Sequence, residues 1–598
     1  MSHFFKLLLF LLSFLLINSS FSQTNISNKY FRSPLDIPLR LTGNFGELRS
    51  NHFHSGIDIK TQGVIGLKVY AVADGYVSRI KISPFGYGKA MYISHPNGIV
   101  SVYGHLHEFN IQLDKYVKYK QYMNKSYSID IFPEKNEIPV RKGDVIALSG
   151  NSGTSGGPHL HFELRNSKTE HPINPLLFKF NIIDKIKPRI YKTYIYPLNP
   201  NSYVNNSINK KTFSVTGNNG KYFLKEKDTI IVHGEIGFAL KAYDYLNNSY
   251  NKCGVYSIKL KVDNNLIFYN KFDEFSFSET KNIKSYMDYN ESIRHKNRFH
   301  KCFLDPNNDI SIYKNIINRG IVNFNDNKTH NINFTIKDVY DNTSTLDFVI
   351  KSSSKENSSI DTSYKQCTQV MPYEKINFFT DDDIKIFFPE NSLFDTLFFQ
   401  FNKSEAVAGS LSPVYHIHNC YTPIKNKYSL SIKIGSLPDS LVNKTIIAYV
   451  DKKNKIYAIG KKWNHEQNFV EVKTNKLGNF TIAIDTVPPK IIPYNFTINT
   501  DLSNLNKIKF KIKDTLSGID TYNGYIDNQW VLFEYDAKKN LLTYVFDEKI
   551  SKKNNHTLKL TVTDRVGNKK TYSHLLKFVN NSTNKKKSNQ DVGYKNNK

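Results

Sequence analysis

A strand pattern that occurs four times limits the possible folds of this chain more than any other feature. In each copy three apolar residues alternate with other residues, an Asp follows two positions later, and Asn or Gly comes four positions after that Asp. The aspartates of the four copies are Asp244, Asp338, Asp514 and Asp564. Alternation with a period of two is typical of strands with one buried face, and the step from Asp to Asn or Gly is typical of a turn. The pattern therefore predicts a mainly β chain.

The length of the chain indicates several domains. A chain of 598 residues exceeds what one core supports, and at roughly 100 to 200 residues per domain it predicts three or four. Two copies of the pattern bracket each of two regions, so we predict β-sandwiches over 186–350 and 486–580. Their paired strands resemble bacterial immunoglobulin-like domains, an architecture that by itself says little about function. Residues 370–485 are predicted to form a β-rich domain between them.

Polar segments mark the predicted connections. Residues 351–366, which begin KSSSKENSSIDTS, are predicted to be a linker, and DTVPPKI at 485–491 is predicted to be a joint stiffened by proline. Residues 581–598 are almost entirely polar, so we predict a disordered tail.

The N-terminal segment has the layout of a secretory signal peptide. Lys6 precedes an apolar stretch over 7–17, and the small residues Ser20 and Ser22 follow it. We predict a signal peptide over 1–22, cleaved after Ser22. The stretch of 11 residues is shorter than the ~20 that span a bilayer, and no cysteine lies near the cut, so no stable membrane anchor is expected. The protein is predicted to be exported to the periplasm, the cell envelope or the exterior.

Histidines spaced two apart occur four times, at His52/His54, His105/His107, His159/His161 and His416/His418. On a strand, such a pair points to one side. That arrangement fits a strand edge as well as half of a metal site, so the spacing alone does not decide between them.

Two stretches, HFHSGID and GPHLHFE, favour a metal site. In HFHSGID, a flexible Ser-Gly step separates His54 from Asp58 and lets the carboxylate fold back beside the imidazole. Zinc binds imidazole and carboxylate, and a catalytic site keeps one position for water. The HLH of GPHLHFE can supply a third ligand. In IVSVYGHLH, alternation over 99–107 predicts a strand with Tyr103, His105 and His107 on one face.

Several spaced motifs occur in the order found in one family. They are GNFGELR, HxxxD at His54 to Asp58, VYAVADGYV, GYGKAMYISHPNG, YGHL around His105, VRKGDVIALSGNSG, GPHLHFE and INPLLF. Together they resemble the signature of the lysostaphin-like, or LytM-type, zinc metalloendopeptidases. The resemblance covers residues 40–180, and we assign 30–180 to this domain.

The resemblance implies a small, mostly antiparallel β-domain with an open groove. It implies that His54, Asp58 and His161 bind one Zn²⁺, with His105 and His159 beside a zinc-bound water that attacks the peptide bond. Zinc lowers the pKa of its water to ~7, and the two catalytic histidines would move protons or bind the oxyanion. The implied substrates are peptides of bacterial peptidoglycan. No HExxH motif occurs in the chain, so the usual glutamate base is absent.

Other histidines have simpler interpretations. His52, His107 and His171 are predicted to border the groove, and His95 to lie in a turn. His416 and His418 have no HxxxD partner nearby and are predicted to be an ordinary strand pair.

An insertion of about thirty residues, at 110–139, separates GHLHEF from VRKGD. Long insertions in small domains are often functional loops. This one would either wall the groove or cover it.

Cysteine usage and charge restrict the partners. Cys253, Cys302, Cys367 and Cys420 would allow up to two disulfides in an exported protein. The net charge of +28 fits an acidic partner, or merely reflects a lysine-rich composition. No compact basic motif with base-reading aromatic residues occurs, so nucleic acid is not an expected partner.

Three functions remain open at this point. The first is an exported zinc endopeptidase that cuts peptidoglycan cross-links, with C-terminal domains that act as spacers or bind the wall or a cell-envelope protein. The second is a non-catalytic LytM-type regulator of other wall hydrolases, which the presence of all five site residues disfavours. The third is an adhesion protein dominated by its β-sandwiches.

Overall fold

The computed structural model describes residues 30–354, 366–464, 468–552 and 554–578. Strands dominate these residues and helices are few and short, which confirms a mainly β chain. The predicted signal peptide at 1–22, most of the linker at 351–366 and the tail at 581–598 lie outside the described residues. One strand, Thr343–Ser352, takes up the first two residues of the predicted linker.

The N-terminal domain contains twelve strands and one long helix, α1 (Ile111–Met123). The strands are β1 (Leu41–Gly43), β2 (Ile57–Lys60), β3 (Lys68–Tyr70), β4 (Gly75–Ile82), β5 (Lys89–Ser94), β6 (Ile99–Leu106), β7 (Glu108–Phe109), β8 (Ile129–Ile131), β9 (Pro139–Val140), β10 (Val145–Leu148), β11 (His159–Asn166) and β12 (Pro172–Ile173). A nine-stranded antiparallel sheet has the order β1-β2-β11-β6-β5-β4-β8, with β12 on β11 and β9 on β4. A small sheet, β3-β10-β7, packs with it around one core.

The centre of this sheet is buried on both faces. Leu160 and Phe162 of β11 belong to the main core, together with Tyr103 of β6. Val100 and Val102 of β6 pack in a separate cluster on the opposite side. The strands β6 and β11, which carry His105, His159 and His161, are therefore enclosed by packed side chains.

The prediction that Tyr103, His105 and His107 share one face of β6 is wrong, because the strand has a bulge near its C-terminal end. A register shift against β5 pairs Lys89 with Leu106 but Met91 with Tyr103, so Gly104 and His105 lie opposite one residue. His105 has a φ of 58°, which breaks the alternation at this bulge. Leu106 consequently enters the main core with Tyr103, and His107 lies exposed beyond the strand.

The insertion at 110–139 forms α1 and β8. The side chain of Asn110 caps α1 by accepting a hydrogen bond from the Leu113 N–H, and the helix buries Leu113 and Val117. Strand β8 pairs with β4 at the edge of the large sheet, so β6, β5 and β4 separate it from β11.

Residues 189–352 form a second domain, called here the first β-domain. Its strands are β13 (Arg189–Pro197), β14 (Tyr203–Val204), β15 (Lys211–Asn218), β16 (Lys221–Leu224), β17 (Ile230–Tyr243), β18 (Ser257–Val262), β19 (Asn265–Lys271), β20 (His300–Lys301), β21 (Tyr313–Ile316), β22 (Val322–Phe324), β23 (Thr329–Lys337) and β24 (Thr343–Ser352). They form one continuous twelve-stranded arrangement, in which the long strands β15 and β17 pair on both sides of the core. Helices α2 (Ile283–Tyr286) and α3 (Tyr289–His295) follow β19.

Residues 369–484 form the middle β-domain, with helix α4 (Asp439–Val442). Its strands are β25 (Gln369–Met371), β26 (Asn377–Asp381), β27 (Ile384–Phe388), β28 (Leu397–Phe399), β29 (Phe401–Ser404), β30 (Val414–Ile417), β31 (Tyr428–Lys433), β32 (Thr445–Val450), β33 (Ile456–Gly460), β34 (Lys462–Asn464), β35 (Phe469–Thr474) and β36 (Gly478–Ile484). Two five-stranded sheets, β26-β27-β31-β35-β34 and β29-β30-β36-β32-β33, enclose a shared core.

Residues 490–576 form the C-terminal β-domain. Its strands are β37 (Lys490–Pro493), β38 (Lys507–Lys513), β39 (Ile519–Ile526), β40 (Gln529–Val531), β41 (Glu534–Asp536), β42 (Leu541–Val545), β43 (His556–Asp564) and β44 (Lys569–Leu576). Two four-stranded sheets, β37-β38-β42-β41 and β40-β39-β43-β44, contribute to one core. The immunoglobulin-like character of this domain and of the first β-domain stays a prediction.

The N-terminal domain shares a second core with the first β-domain. Phe45 and Phe53, on the segment that leads to His54, pack with Phe272, Phe275 and Tyr286, and each of these side chains is at most 2% exposed. The loop before the predicted ligand His54 is therefore held by residues more than 200 positions away in the sequence.

The C-terminal β-domain also packs on the N-terminal domain. Leu532 joins the main N-terminal core, and the ring of Trp530 contacts that of Tyr122 on α1. The Tyr122 hydroxyl donates to the Asp547 carboxylate, and Lys89 forms an ion pair with Glu534. The insertion therefore lies against the last domain of the chain.

The four cysteines are not paired with one another. Cys253, Cys302, Cys367 and Cys420 are all free thiols, and the first two are buried, so neither of the two allowed disulfides forms.

Within the described ranges, no helix has the combined length and apolar character needed to cross a bilayer.

Candidate metal centre and catalytic histidines

Two paired strands bring the predicted ligands together. Asp58 on β2 lies directly opposite His161 on β11, and His54 enters from the loop before β2. Asp58 Oδ1 lies 2.9 Å from His161 Nδ1 and 3.0 Å from His54 Nε2, and those two nitrogens are 3.2 Å apart. All three side chains are buried. The structure thus gathers His54, Asp58 and His161 into one compact group.

The outer nitrogens of both imidazoles are already occupied. His54 Nδ1 lies 2.8 Å from the Asn44 carbonyl oxygen, and His161 Nε2 lies 2.7 Å from Glu163 Oε1. Both acceptors lack protons, so each imidazole donates outward. Burial opposes a charge on His161, but Asp58 and Glu163 raise its pKa to about 9, so its inner nitrogen also carries a proton near pH 7 until a cation displaces it. With the inner protons displaced, two lone pairs and a carboxylate oxygen point at one another. That donor set is suited to a cation, and imidazole with carboxylate is the ligand chemistry of zinc.

Glu163 organises the second layer behind the ligands. Its Oε1 accepts hydrogen bonds from His161 Nε2, from the Ser55 hydroxyl at 2.6 Å and from the Tyr87 hydroxyl. Its Oε2 binds Arg165 Nε at 2.6 Å. Carboxylates in this position fix the orientation of a metal-binding histidine and raise its basicity.

The catalytic candidates His105 and His159 lie together at the edge of this group. Their ring centroids are 4.8 Å apart. His105 Nδ1 donates to the Ser152 carbonyl at 2.9 Å, and His159 Nδ1 donates to the Gly157 carbonyl at 2.8 Å. Both rings therefore direct Nδ1 at a backbone carbonyl, so that Nε2 is the nitrogen turned toward the ligand group. His159 Nε2 lies 3.4 Å from Asp58 Oδ1, so it faces the ligands.

Burial and charge set the protonation of these groups. Burial, with added repulsion from His161 and His159, lowers the pKa of His105 to about 3, so the ring is neutral near pH 7. Burial alone would raise the pKa of Asp58, but His54, His159 and His161 together hold it well below its usual range. For Glu163, Arg165 and His161 likewise overcome burial and lower the pKa. Both carboxylates are ionised.

The remaining histidines lie elsewhere. His52 and His107 are exposed, and His171 is half-buried near Glu274. His95 is buried. Its Nδ1 lies 2.8 Å from the Asp74 carbonyl oxygen and its Nε2 lies 2.8 Å from the Ser101 hydroxyl, so the ring links the end of β5 to β6 and to the residue before β4. Strand β30 ends at Ile417; His416 lies in it, whereas His418 follows it with a φ of 54°. The predicted strand pair is therefore only half correct.

Sequence reasoning missed the residues that support the ligands. Glu163 and Arg165 continue the alternation of His159 and His161 along β11, so the spacing already placed them on the same face. Asn44 and Ser152 contribute only backbone oxygens to the site. No pattern of side chains signals that role.

Sequence comparisons identify two regions of the chain. The profile described as peptidase family M23 matches residues 52–131 and 128–175. The profile described as a Zu5-like domain matches residues 368–485, which coincide with the middle β-domain.

Individual relatives match less than a quarter of the chain. The DD-carboxypeptidase/endopeptidase Mpg of Neisseria meningitidis is 33% identical over 129 residues, which cover 22% of this chain and 23% of that protein. The peptidoglycan DD-endopeptidase ShyA of Vibrio cholerae is 28% identical over 146 residues, covering 23% and 28%. The chain thus spans about a quarter of the length of these curated relatives.

Solved structures match a similar share of the chain. A zinc-containing peptidase from Vibrio cholerae is 27% identical, with 24% of this chain and 39% of that chain covered and a TM-score of 0.19. The catalytic domain of lysostaphin from Staphylococcus simulans is 22% identical, with 23% and 87% covered and a TM-score of 0.17.

Proposed function

We propose that the N-terminal domain, which belongs to peptidase family M23, makes this chain an exported, zinc-dependent endopeptidase that hydrolyses peptide cross-links of bacterial peptidoglycan. One observation carries the proposal. The inner nitrogens of His54 and His161 and a carboxylate oxygen of Asp58 converge within 3.2 Å of one another, beside the imidazoles of His105 and His159. The names of the curated relatives support peptidoglycan peptides as the substrate class.

The ligand set fits one zinc ion. His54, Asp58 and His161 would hold it, and Asn44 and Glu163 would keep the two imidazoles in the required tautomers. A bound zinc ion supplies a Lewis acid that polarises the scissile carbonyl and lowers the pKa of water. Asp58 is kept in place by a second contact, because Arg49 Nη2 donates to its Oδ2 at 3.0 Å.

The two remaining histidines perform the proton transfers. His105 is neutral near pH 7, so its Nε2 can take the proton of an attacking water, and His159 places its Nε2 beside the same group, 3.4 Å from Asp58 Oδ1. The ring that receives this proton becomes a donor, and it can then stabilise the oxyanion or protonate the departing nitrogen. Their Nδ1 contacts to the Ser152 and Gly157 carbonyls hold both rings in the orientation that this chemistry needs.

The non-catalytic regulator remains the second candidate. A regulator that has lost zinc would not need an ionised Asp58, an ordered Glu163 and two proton-accepting histidines in one buried group. The completeness of the group favours the enzyme.

The test uses the chain without residues 1–22, purified peptidoglycan, and mass analysis of the released peptides with and without a chelator. We expect new peptide termini that disappear on chelation. Asp58→Ala should abolish both zinc content and cleavage, whereas His159→Ala should keep stoichiometric zinc and lose cleavage. His107→Ala, an exposed neighbour, is the matched control and should retain both. Stoichiometric zinc without new termini would favour a binding role; a His159→Ala variant with full activity would refute its catalytic assignment.

A further inference from the structure

Three aspartates meet where the first β-domain joins the N-terminal domain. Asp184 lies in the connection before β13, Asp244 directly follows β17, and Asp338 directly follows β23. One carboxylate oxygen of each lies within 4.8 Å of the others. Asp244 and Asp338 are the aspartates of the first two copies of the repeated strand pattern.

This group of carboxylates is buried and lacks a counter-charge. Asp244 is 3% exposed and its Oδ1 has no hydrogen-bond partner, as is also true of the buried hydroxyl of the neighbouring Tyr340. Across the described ranges, none of the three aspartates forms an ion pair with Lys or Arg. Burial, together with the charges of Asp184 and Asp338, raises the pKa of Asp244 well above its usual range. Such a group is costly unless protons or a cation neutralise it.

A second group, between residues 485 and 564, repeats this arrangement. Asp485 follows β36 in the joint before the C-terminal β-domain, Asp514 follows β38, and Asp564 ends β43. Their carboxylate oxygens again lie within 4.8 Å of one another. Asp514 Oδ2 is buried without a hydrogen-bond partner. This group too has no Lys or Arg ion pair in the part of the chain that the structure describes.

The two groups also share the contact that fixes them to the joint. Asn342 Nδ2 donates to Asp338 Oδ2 at 2.6 Å and to the Asp184 carbonyl at 3.3 Å. In the second group, Asn568 Nδ2 donates to Asp564 Oδ2 and to the Asp485 carbonyl, both at 2.8 Å. In each group, one aspartate comes from the connection that precedes a β-domain. The other two come from the ends of strands in that β-domain.

We propose that each group binds one calcium ion, and that the two ions fix the joints at residues 184–188 and 485–491. Carboxylate oxygens are the ligands of hard cations, and calcium accepts six to eight oxygens in irregular geometry, whereas magnesium demands a near-ideal octahedron. Three aspartates from three separate segments suit the less demanding ion. The unpaired oxygens of Asp244 and Asp514 supply the ligand atoms that no protein donor satisfies.

The binding test uses the full chain, stripped of metal, reloaded with one equivalent of zinc and equilibrated with calcium chloride or magnesium chloride before metal analysis. We expect two calcium ions per chain and no comparable retention of magnesium. Asp244→Asn and Asp514→Asn should each lose one calcium ion, and the double variant should lose both. Asp341→Asn, an exposed neighbour of Asp338, is the control and should retain two.

Thermal unfolding distinguishes a bound calcium ion from protons shared among the aspartates. In chelator, the double variant should unfold at the same temperature as the parent or higher, because it removes buried repulsion. In ~1 mM calcium chloride, the parent Tm should rise by a few degrees and that of the double variant should not. Equal retention of magnesium would overturn the choice of calcium. No bound calcium and no Tm shift in the parent would overturn the sites altogether.

Discussion

The side chain of Asn44 joins the N-terminal domain to Gly254 of the first β-domain. Asn44 Nδ2 donates to the Gly254 carbonyl and the Gly254 N–H donates to Asn44 Oδ1, both at 2.7 Å. The backbone oxygen of the same Asn44 accepts the hydrogen bond from His54 Nδ1. The first β-domain thus helps to orient the proposed zinc ligand His54, through a single intermediate residue.

Replacing Asn44 should weaken both the interface and the metal site. Asn44→Ala leaves the buried N–H and carbonyl of Gly254 unpaired, at a cost of about 1–3 kcal/mol for each group. We expect a lower Tm and weaker zinc binding, measured by thermal unfolding and by competition with a chelator. Asn51→Ala, on the exposed part of the same loop, should change neither; equal effects of the two substitutions would contradict the role of Asn44.

Removing the charge of Glu163 should loosen zinc without removing a ligand. Glu163→Gln keeps the shape of the side chain but weakens its hold on His161 and leaves Arg165 with only its longer ion pair to Glu170, at 3.6 Å. Zinc affinity should fall by about 10–100-fold, as measured by competition with a chromogenic chelator. Glu108→Gln is an exposed control, and a Glu163→Gln variant with parental affinity would refute this role.

Lys538 of the C-terminal β-domain should matter for cleavage but not for zinc. Its Nζ donates to the carbonyls of Asn151 and Ser155, on either side of Ser152, whose carbonyl holds His105. Lys538→Ala should release this loop and lower kcat/KM by about tenfold, because small displacements of a catalytic group are costly. Zinc content should stay at one per chain.

Lys539→Ala provides the comparison for Lys538, because Lys539 is adjacent and exposed and pairs only with Asp536. It should cleave at the parental rate. If both lysine variants lose activity equally, general charge and not the loop contact is responsible.

Truncation at the predicted domain boundary should damage the enzyme. A fragment of residues 30–180 exposes Phe45, Leu48 and Phe53, and burying each is worth roughly 1.5–3 kcal/mol. We expect it to aggregate or to bind zinc weakly, whereas residues 30–352 should be soluble and bind one zinc ion. Size-exclusion chromatography and metal analysis distinguish the two, and a monomeric, zinc-loaded short fragment would show that the shared core is dispensable.

Local periodicity explains what the sequence could predict. Alternation along GPHLHFE correctly put His159 and His161 on one face of β11 and Leu160 and Phe162 in the core, because the period of a strand depends on neighbouring residues only. The same rule failed in β6, where the positive φ of His105 creates a bulge. Asn or Gly is the usual signal of such a backbone, and His gives none.

Long-range packing explains what the sequence could not predict. Asn44 and Gly254 are separated by 210 positions, and the contact of Lys538 with the loop beside His105 spans 383. Neither contact follows from a repeating pattern or a motif. The clustering of the repeated aspartates at two joints was equally hidden, since the pattern marks the strand ends but not which ends meet.

The shared core of Phe45, Phe53, Phe272, Phe275 and Tyr286 bears on when the predicted metal site is completed. During synthesis the N-terminal residues emerge first, yet the packing that holds the loop before His54 forms only after the segment around Phe272 to Tyr286 has followed. A nascent chain shorter than this lacks the packing that places the predicted ligand His54. Under the proposed function, cleavage would begin only once about half of the 598-residue polypeptide has been made.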